Sequence, residues 1–497
     1  MSSPGWTRSF SEWAEGFVHE RGIPGLSVAV AENGTEIFAQ GFGYADREAG
    51  APITPDTIYG IGSCTKSFTC AAVMHLHEQG RLDIDAPVTR YLPELGAIWG
   101  DRAHAMKLYH FMTHTAGLPP LPVLQPALRD SMLEDPDARE ELDAYEPLGL
   151  GSIATTAEHV GLLGRLPFPW LGEPGAFFSY SNDCHGLLGP VIERVSGVPY
   201  ERYLEQVLLA PLGMTRSLFE ADRLAAIGDV ATIYSRRPVK GTDGEPLMDG
   251  DKPRTEVFRS PAWWSAPSQT AAGWLKCSAR DMLRYLELYN VGGAGVISPE
   301  SVARMTAPFI SVSPVAGAGY GFGLNMTVHH GVKLVTHSGG LKGISAYMIA
   351  IPERHMAITA LMAVGDEPSH RPAMAVVNAI LGLDLETASV EPVSTPLARQ
   401  AGDYAGKYYS GESVHDIEVV AENGELFLVA DGKRDALTGA QQGYLVAGEP
   451  AERAWILPAE RDGKVFGLRV GSRTWPRREL WDEAGYPKLR GWADLVR

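Results

Sequence analysis

Ser63 and Lys66, in Gly62-Ser63-Cys64-Thr65-Lys66-Ser67-Phe68, form the one Ser-x-x-Lys spacing in 497 residues. The apolar segment Ile58-Tyr59-Gly60-Ile61 leads in, and a helical pattern through Met74 and Leu76 follows, ending at Gly80. With Ser63 at the helix start, Lys66 falls on the same face one turn on, because i and i+3 side chains are neighbours at about 5–6 Å. An amine beside a hydroxyl is the minimum geometry of an activated serine nucleophile. The helix N-terminus places partial positive charge where an oxyanion would form. Ser and Lys are common residues, so this spacing alone is one that chance supplies. Cys64 adjoins Ser63, but on a helix it points about 100° away from the Ser63–Lys66 face.

Two later stretches carry complementary groups. Phe178-Ser179-Tyr180-Ser181-Asn182-Asp183 precedes a helix starting near His185. Tyr180 and Asn182, two apart in a tight loop, present a phenol and an amide on one side. A phenol near an ammonium has a lowered pKa and can act as a general base; the amide can hydrogen-bond the lysine and a substrate carbonyl. The same stretch also reads as an ordinary loop and N-cap. His337-Ser338-Gly339-Gly340 ends a strand. Its glycines let a ligand backbone approach closely, and a free N–H there pairs with that of Ser63 as two oxyanion donors.

Taken in the order Ser63, Tyr180, His337, these stretches resemble the three motifs of the serine penicillin-binding protein and β-lactamase superfamily. The Tyr-x-Asn and His-Ser-Gly-Gly versions most resemble class C β-lactamase-like serine hydrolases, which include esterases, D-amino-acid peptidases and amidases. Met112–Pro119, Pro211–Met214, Ala271–Asp281 and Tyr320–Leu324 are similar to further family stretches, and the resemblance spans about residues 8 to 385. It implies that Ser63 is acylated, that Lys66 and Tyr180 share the proton transfers, and that Asn182 orients Lys66 and the substrate. It also implies an oxyanion hole from the N–H groups of Ser63 and Gly340. His337 departs from the lysine of β-lactamases: a histidine is mostly neutral at pH 7, which favours esters, amides or peptides over β-lactams. His337 is expected either to take part directly or to hydrogen-bond Tyr180.

Composition narrows the remaining classes. A formal net charge of -17 argues against nucleic acid and anionic membranes as partners. No apolar run approaches the roughly 20 residues of a membrane span, and Met1–Trp6 shows no leader features, so a cytoplasmic location is expected. Cys64, Cys70, Cys184 and Cys277 read as reduced thiols in a long chain of this kind. His75-x-His77 and His329-His330 lack metal-ligand spacing; no metal and no cofactor are expected. The partner is a small-molecule or peptide substrate, and a homo-oligomer stays open.

The elements that must position these groups follow from patterning. Trp6–Glu20 reads as an amphipathic helix, and Gly25–Ala31 and Glu36–Gln40 as strands joined at Asn33-Gly34. Residues 96–274 carry helical patterns between Pro/Gly breaks, among them 134–144, with little strand alternation. Helix 279–289 and four strand-like stretches between 321 and 363 follow, then helix 372–381. The expected fold is α/β (α+β): one antiparallel sheet assembled from residues 1–95 and 275–390, flanked by helices, with a mostly helical subdomain inserted. A linker at 391–400 leads to short alternating strands over 401–497 that read as a small antiparallel barrel. That barrel resembles the lipocalin-like domains of some D-amino-acid-specific peptidases and of penicillin-binding-protein-type thioesterases that cyclise peptides. It contributes no identified site residue. Trp170, Trp263 and Trp264, with Phe177 and Phe178, are candidates to line the cleft, with core packing as the alternative, and the insertion 121–167 is a candidate lid. The expected function is hydrolysis of peptide or amide bonds, including D-residue or linearised peptides, through a Ser63 acyl-enzyme. The alternatives are a broad-range carboxylesterase, a peptide-cyclising thioesterase, and a silent penicillin-binding-type sensor.

Overall fold

Strand Gly25–Glu32 is buried along nearly its whole length, which requires cover on both faces. Val28 and Val30 pack to one side with Phe10, Ala14 and Phe17 of helix Thr7–Glu20 and Val376 and Val377 of helix His370–Leu381. Ala29 and Ala31 face the other way, towards Phe68 of helix Thr65–Glu78 and Met282 and Tyr285 of helix Ala279–Asn290. This alternation is the period-2 geometry of a strand. The computed structural model describes residues 4–487, apart from 139–141, 144, 146–148, 243–244, 250–251, 261–262, 366, 414, 431 and 449–452.

The main sheet has eight antiparallel strands, in the order Gly319–Tyr320, Asn325–His329, Val332–Leu341, Ile344–Ile351, Met356–Met362, Gly25–Glu32, Thr35–Asp46 and Ala51–Pro52. Strands from both ends of the region meet where Gly25–Glu32 pairs with Met356–Met362, Val28 opposite Ala360. The sheet is therefore one body built from distant segments, as the patterning implies. The Asn33-Gly34 hairpin has both residues at positive φ, the requirement of a type I′ turn. The second strand runs on to Asp46.

Between Met106 and Ala272 the described elements are mainly short helices, including Leu108–Met112, Thr156–Arg165, Asn182–Gly186 and Leu188–Ser196. Part of the helix expected over 134–144 lies outside the described residues, and Pro136–Ala138 forms a single 3-10 turn. The expectation of scarce strands there needs correction: Tyr234–Pro238 pairs with Thr255–Arg259. Only Tyr234 on its strand is fully buried, so charged, half-exposed residues conceal the alternation.

The second eight-stranded sheet runs in chain order from Gly406–Ser410 to Arg473–Pro476, and a Tyr408–Arg477 bridge nearly closes it into a barrel. Tyr404, Tyr408, Ile417, Val419, Leu426, Ile456 and Leu468 fill its interior. Two of its strands escape sequence patterning. Lys433–Gly439 turns mostly charged or small residues outward, and Arg473–Pro476 is short and ends on proline.

Candidate active site

Ser63 sits in a single 3-10 turn, Gly62–Cys64, that feeds directly into helix Thr65–Glu78. Two glycines make this turn possible. Gly62 has φ +49, and a Cβ on it would lie 2.6 Å from Gly340 N. A Cβ on Gly339 would lie 1.8 Å from Ile61 O. The strand carrying His337-Ser338-Gly339-Gly340 therefore presses against the nucleophile turn, and Gly339 admits that turn rather than a ligand. Gly340 has open space on its Cβ side and lines the cleft.

Lys66 is fully buried. Its Nζ lies 3.0 Å from Ser63 Oγ, 2.9 Å from Asn182 Oδ1 and 2.6 Å from Ala272 O. Burial, reinforced by the Arg473 charge, holds its pKa well below the usual lysine range, against an upward pull from Glu412. Tyr180, whose ring centroid is 4.8 Å from Lys66 Nζ, differs from expectation. Burial raises the pKa of its phenol, and the Ser63 hydroxyl and Arg473 offset only part of that. The phenol is thus protonated at neutral pH rather than poised as a base.

Ser181 caps helix Asn182–Gly186, accepting from Cys184 N. The helix therefore begins at Asn182 and not near His185. This cap turns Asn182 towards Lys66, and Asn182 Nδ2 donates to Glu412 Oε1 at 3.2 Å. Glu412 belongs to the barrel. Arg473 holds it in a two-pronged ion pair at 2.6 and 2.9 Å. Gln125 and the Tyr145 hydroxyl, from the 121–167 insertion, donate to its backbone carbonyl at 3.1 and 2.6 Å. The Arg473 guanidinium stands 4.5 Å from the Tyr180 ring centroid. Tyr180 N donates to Ser472 O at 2.8 Å, and Thr474 Oγ1 donates to Phe178 O at 2.7 Å. The last barrel hairpin is thereby stitched to the loop that carries Tyr180.

His337 bonds Tyr320 rather than Tyr180. Its Nδ1 lies 2.5 Å from Ser338 O and its Nε2 3.0 Å from the Tyr320 hydroxyl. The Tyr320 hydroxyl is also 3.1 Å from His114 Nε2, and His114 Nδ1 accepts from Ser181 N at 3.1 Å. These partners assign the protons. His114 Nε2–H donates to Tyr320, Tyr320 O–H donates to His337 Nε2, and His337 Nδ1–H donates to the carbonyl. Both imidazoles are neutral. Burial, with the Lys66 charge adding to it, pushes His337 down to about 3, and burial with His185 nearby holds His114 well below its ordinary value.

Ser63, Tyr180, Asn182, His337 and Gly340 line one cleft of about 840 Å³. Lys66 stands directly behind Ser63. Trp170, Trp263 and Trp264 do not line this cleft. Trp170 packs on Trp99 and Phe168, Trp263 lies against Gly60, and Trp264 Nε1 donates to Asp135 at 2.9 Å. Phe178 does line it, whereas Phe177 packs on Phe466 of the barrel. The Cys64 thiol is buried, with its pKa raised, and donates to His337 O at 3.4 Å; it points away from the cleft. The barrel residues Glu412 and Arg473 had no local signal in the sequence, since ion pairs of this kind are common on any surface. His114 and Tyr320 lay inside family-like stretches, but only their packing joins them into one chain of hydrogen bonds.

A serine at a helix N-terminus, a buried lysine one turn on, and a tyrosine and strand edge across the cleft are the parts of a β-lactamase-type serine hydrolase site. The chain belongs to the beta-lactamase family, whose pattern matches residues 10–382. It is 31% identical over 369 residues to a beta-lactamase of Yersinia enterocolitica, covering 69% of this chain and 83% of that one. It is 28% identical over 317 residues to the esterase EstB of Burkholderia gladioli, covering 62% and 76%. Among solved structures, the octameric penicillin-binding protein homologue of Pyrococcus abyssi superposes with a TM-score of 0.64 at 27% identity, covering 94% of this chain and 98% of that one. Among the described residues, no helix is long and apolar enough to cross a membrane.

Proposed function

We propose that the protein hydrolyses peptide or amide bonds through an acyl-enzyme on Ser63. The observation that carries this reading is the seating of Lys66. Asn182 Oδ1 and Ala272 O accept two of its hydrogens. With the pKa lowered, the third position on nitrogen is a lone pair aimed at the Ser63 hydroxyl at 3.0 Å. Lys66 then takes the serine proton as Ser63 Oγ bonds to the carbonyl carbon. The N–H groups of Ser63 and Gly340 receive the oxyanion. The protonated Tyr180 hydroxyl donates to the departing nitrogen as its bond to carbon breaks, and Lys66 restores the phenol proton. Water then attacks the ester with the same groups acting in reverse. His337, kept neutral by burial and oriented by Tyr320 and the Ser338 carbonyl, acts as a wall of the site rather than as a charge. Cleavage at D-residues, and release by an internal amine to give a cyclic product, would both run through the same acyl-enzyme.

A second reading, a broad-range carboxylesterase, is favoured by the likeness to EstB. An ester departs without needing the Tyr180 proton as strongly as an amine does. Fluorophosphonate labelling of Ser63, followed by a panel of p-nitrophenyl esters, L- and D-aminoacyl amides, linear peptides and a chromogenic cephalosporin, separates the two. The expected result is labelling and ester plus peptide or amide turnover, with little cephalosporin turnover and loss of all of it in Ser63→Ala. An unlabelled Ser63 would remove the enzyme reading, and turnover restricted to esters would select the second one.

A further inference from the structure

Three guanidiniums from the barrel line the cleft that holds Ser63: Arg453, Arg469 and Arg473. Two of them are neutralised within the chain. Arg473 pairs with Glu412 at 2.6 Å, and Arg453 with Glu391 at 2.9 Å. Arg469 is different. It is only 5% exposed, and its partners are neutral: Ser311 O at 2.8 Å and the Tyr444 hydroxyl. No carboxylate pairs with it among the described residues, although the chain carries 60 acidic residues. Burial pulls its pKa down, and only Tyr444 opposes this. Removing a cation from water without a counter-ion is costly unless something repays it. Two of its five N–H bonds go to these neutral acceptors, which leaves three without a protein acceptor among the described residues, on a side chain that lines the cleft. Beside it the cleft wall carries Val312, Tyr444 and Trp455, an apolar surface next to a charge.

From this we infer that Arg469 is the receptor for a substrate carboxylate, so that the protein acts on peptides or acyl compounds that carry a free carboxylate beside an apolar side chain. The inference rests on the hydrolase reading for its meaning but not for its test. Planar guanidinium matches carboxylate geometry with two parallel hydrogen bonds. The barrel hairpin that stitches itself to the Tyr180 loop thus also supplies the anchor that fixes where along a peptide the bond to Ser63 lies. A carboxylate at Arg469 selects the chain end, which makes the activity that of an exo-acting enzyme.

Binding to full-length Ser63→Ala protein, measured by calorimetry, tests this without turnover. The probes are N-acetyl-Leu-Leu and N-acetyl-D-Leu-D-Leu, each as the free acid and as the C-terminal amide. The free acid of at least one pair is expected to bind roughly tenfold to a hundredfold tighter than its amide, the range for a charge-assisted hydrogen bond. Adding Arg469→Met is expected to remove that ratio, and Arg469→Lys to restore part of it. Equal affinities for acid and amide, no binding of either at millimolar concentration, or a preference that survives Arg469→Met would each overturn the inference. The acid-to-amide ratio in Ser63→Ala alone decides the matter even if an Arg469 variant does not fold. Fluorophosphonate labelling of the unaltered protein reports separately on the hydrolase reading, so either can fail while the other stands.

Discussion

Glu412→Gln probes whether a residue of the barrel governs proton transfer at Ser63. Glu412 receives Asn182 Nδ2 at 3.2 Å, and Asn182 Oδ1 receives Lys66 Nζ at 2.9 Å. Across the intervening amide, the carboxylate and the amine are no more than roughly 8 Å apart, which at an effective dielectric of about 20 is worth about 2 kcal/mol. Removing the anion disfavours the ammonium form of Lys66, so the free amine persists to lower pH. Arg473, left without its partner, pushes the same way. The acid limb of the kcat/KM profile for a neutral p-nitrophenyl ester is therefore expected to move down by about one pH unit. The rate at the plateau falls about tenfold, because Asn182 exchanges a charged acceptor for a neutral one. Arg473→Met carries the opposite sign, since it removes a cation and leaves Glu412 to favour the ammonium; its acid limb is expected to move up. The assay is a pH–rate series from pH 4.5 to 9 on all three proteins. An unmoved limb, or the same direction of movement in both variants, would refute the coupling.

The remaining predictions concern the site's proton donor, its frame and its acid sensitivity. Tyr180→Phe is expected to slow peptide or amide cleavage by roughly 10²–10⁴-fold and p-nitrophenyl ester cleavage far less, because nitrophenolate leaves without a proton; equal losses on both substrates would count against Tyr180 as the acid. Gly339→Ala would place a methyl 1.8 Å from Ile61 O, against backbone that cannot rotate away. It is expected to destabilise by at least about 2 kcal/mol and to slow labelling of Ser63, with thermal unfolding and probe kinetics as the measurements. His159 is fully buried, and burial pushes its pKa down to about 4. Its folded pKa lies below its unfolded one, so its contribution is intact above about pH 6.5 and is lost as pH falls towards 4. Urea unfolding at pH 7 and at pH 4 is expected to show the parent losing roughly 3 kcal/mol more than His159→Leu over that range; parallel losses would show that His159 takes no part.

Much of the architecture was legible in local patterning. Two strand-like segments on either side of an Asn33-Gly34 turn marked the first hairpin, and strands at both ends of the region were joined into one sheet by the observed pairing of Gly25–Glu32 with Met356–Met362. Strands whose outward positions carry charge, such as Thr255–Arg259 and Lys433–Gly439, were not legible, because neighbours supply their burial. The tryptophans were misleading for a related reason. An aromatic residue reads the same whether it lines a cleft or a core, and Trp170 and Trp264 are held by Trp99 and Asp135, away from Ser63.

Sequence alone set the relation between Ser63 and Lys66 and the family. The pitch of a helix sets Lys66 beside Ser63 wherever that helix lies, and the order of Ser63, Tyr180 and His337 identified the family. Tertiary structure decided the electrostatic setting of the site and which side chains line the cleft. Whether Lys66 is an amine or an ammonium depends on its burial and on Arg473 and Glu412, more than three hundred residues away in sequence. The same fold sets Arg469 in the cleft wall with no carboxylate paired to it among the described residues. Helix pitch is a property of neighbouring residues and survives in any context. Desolvation and charge pairing depend on which distant groups share a volume, and only the folded chain specifies that.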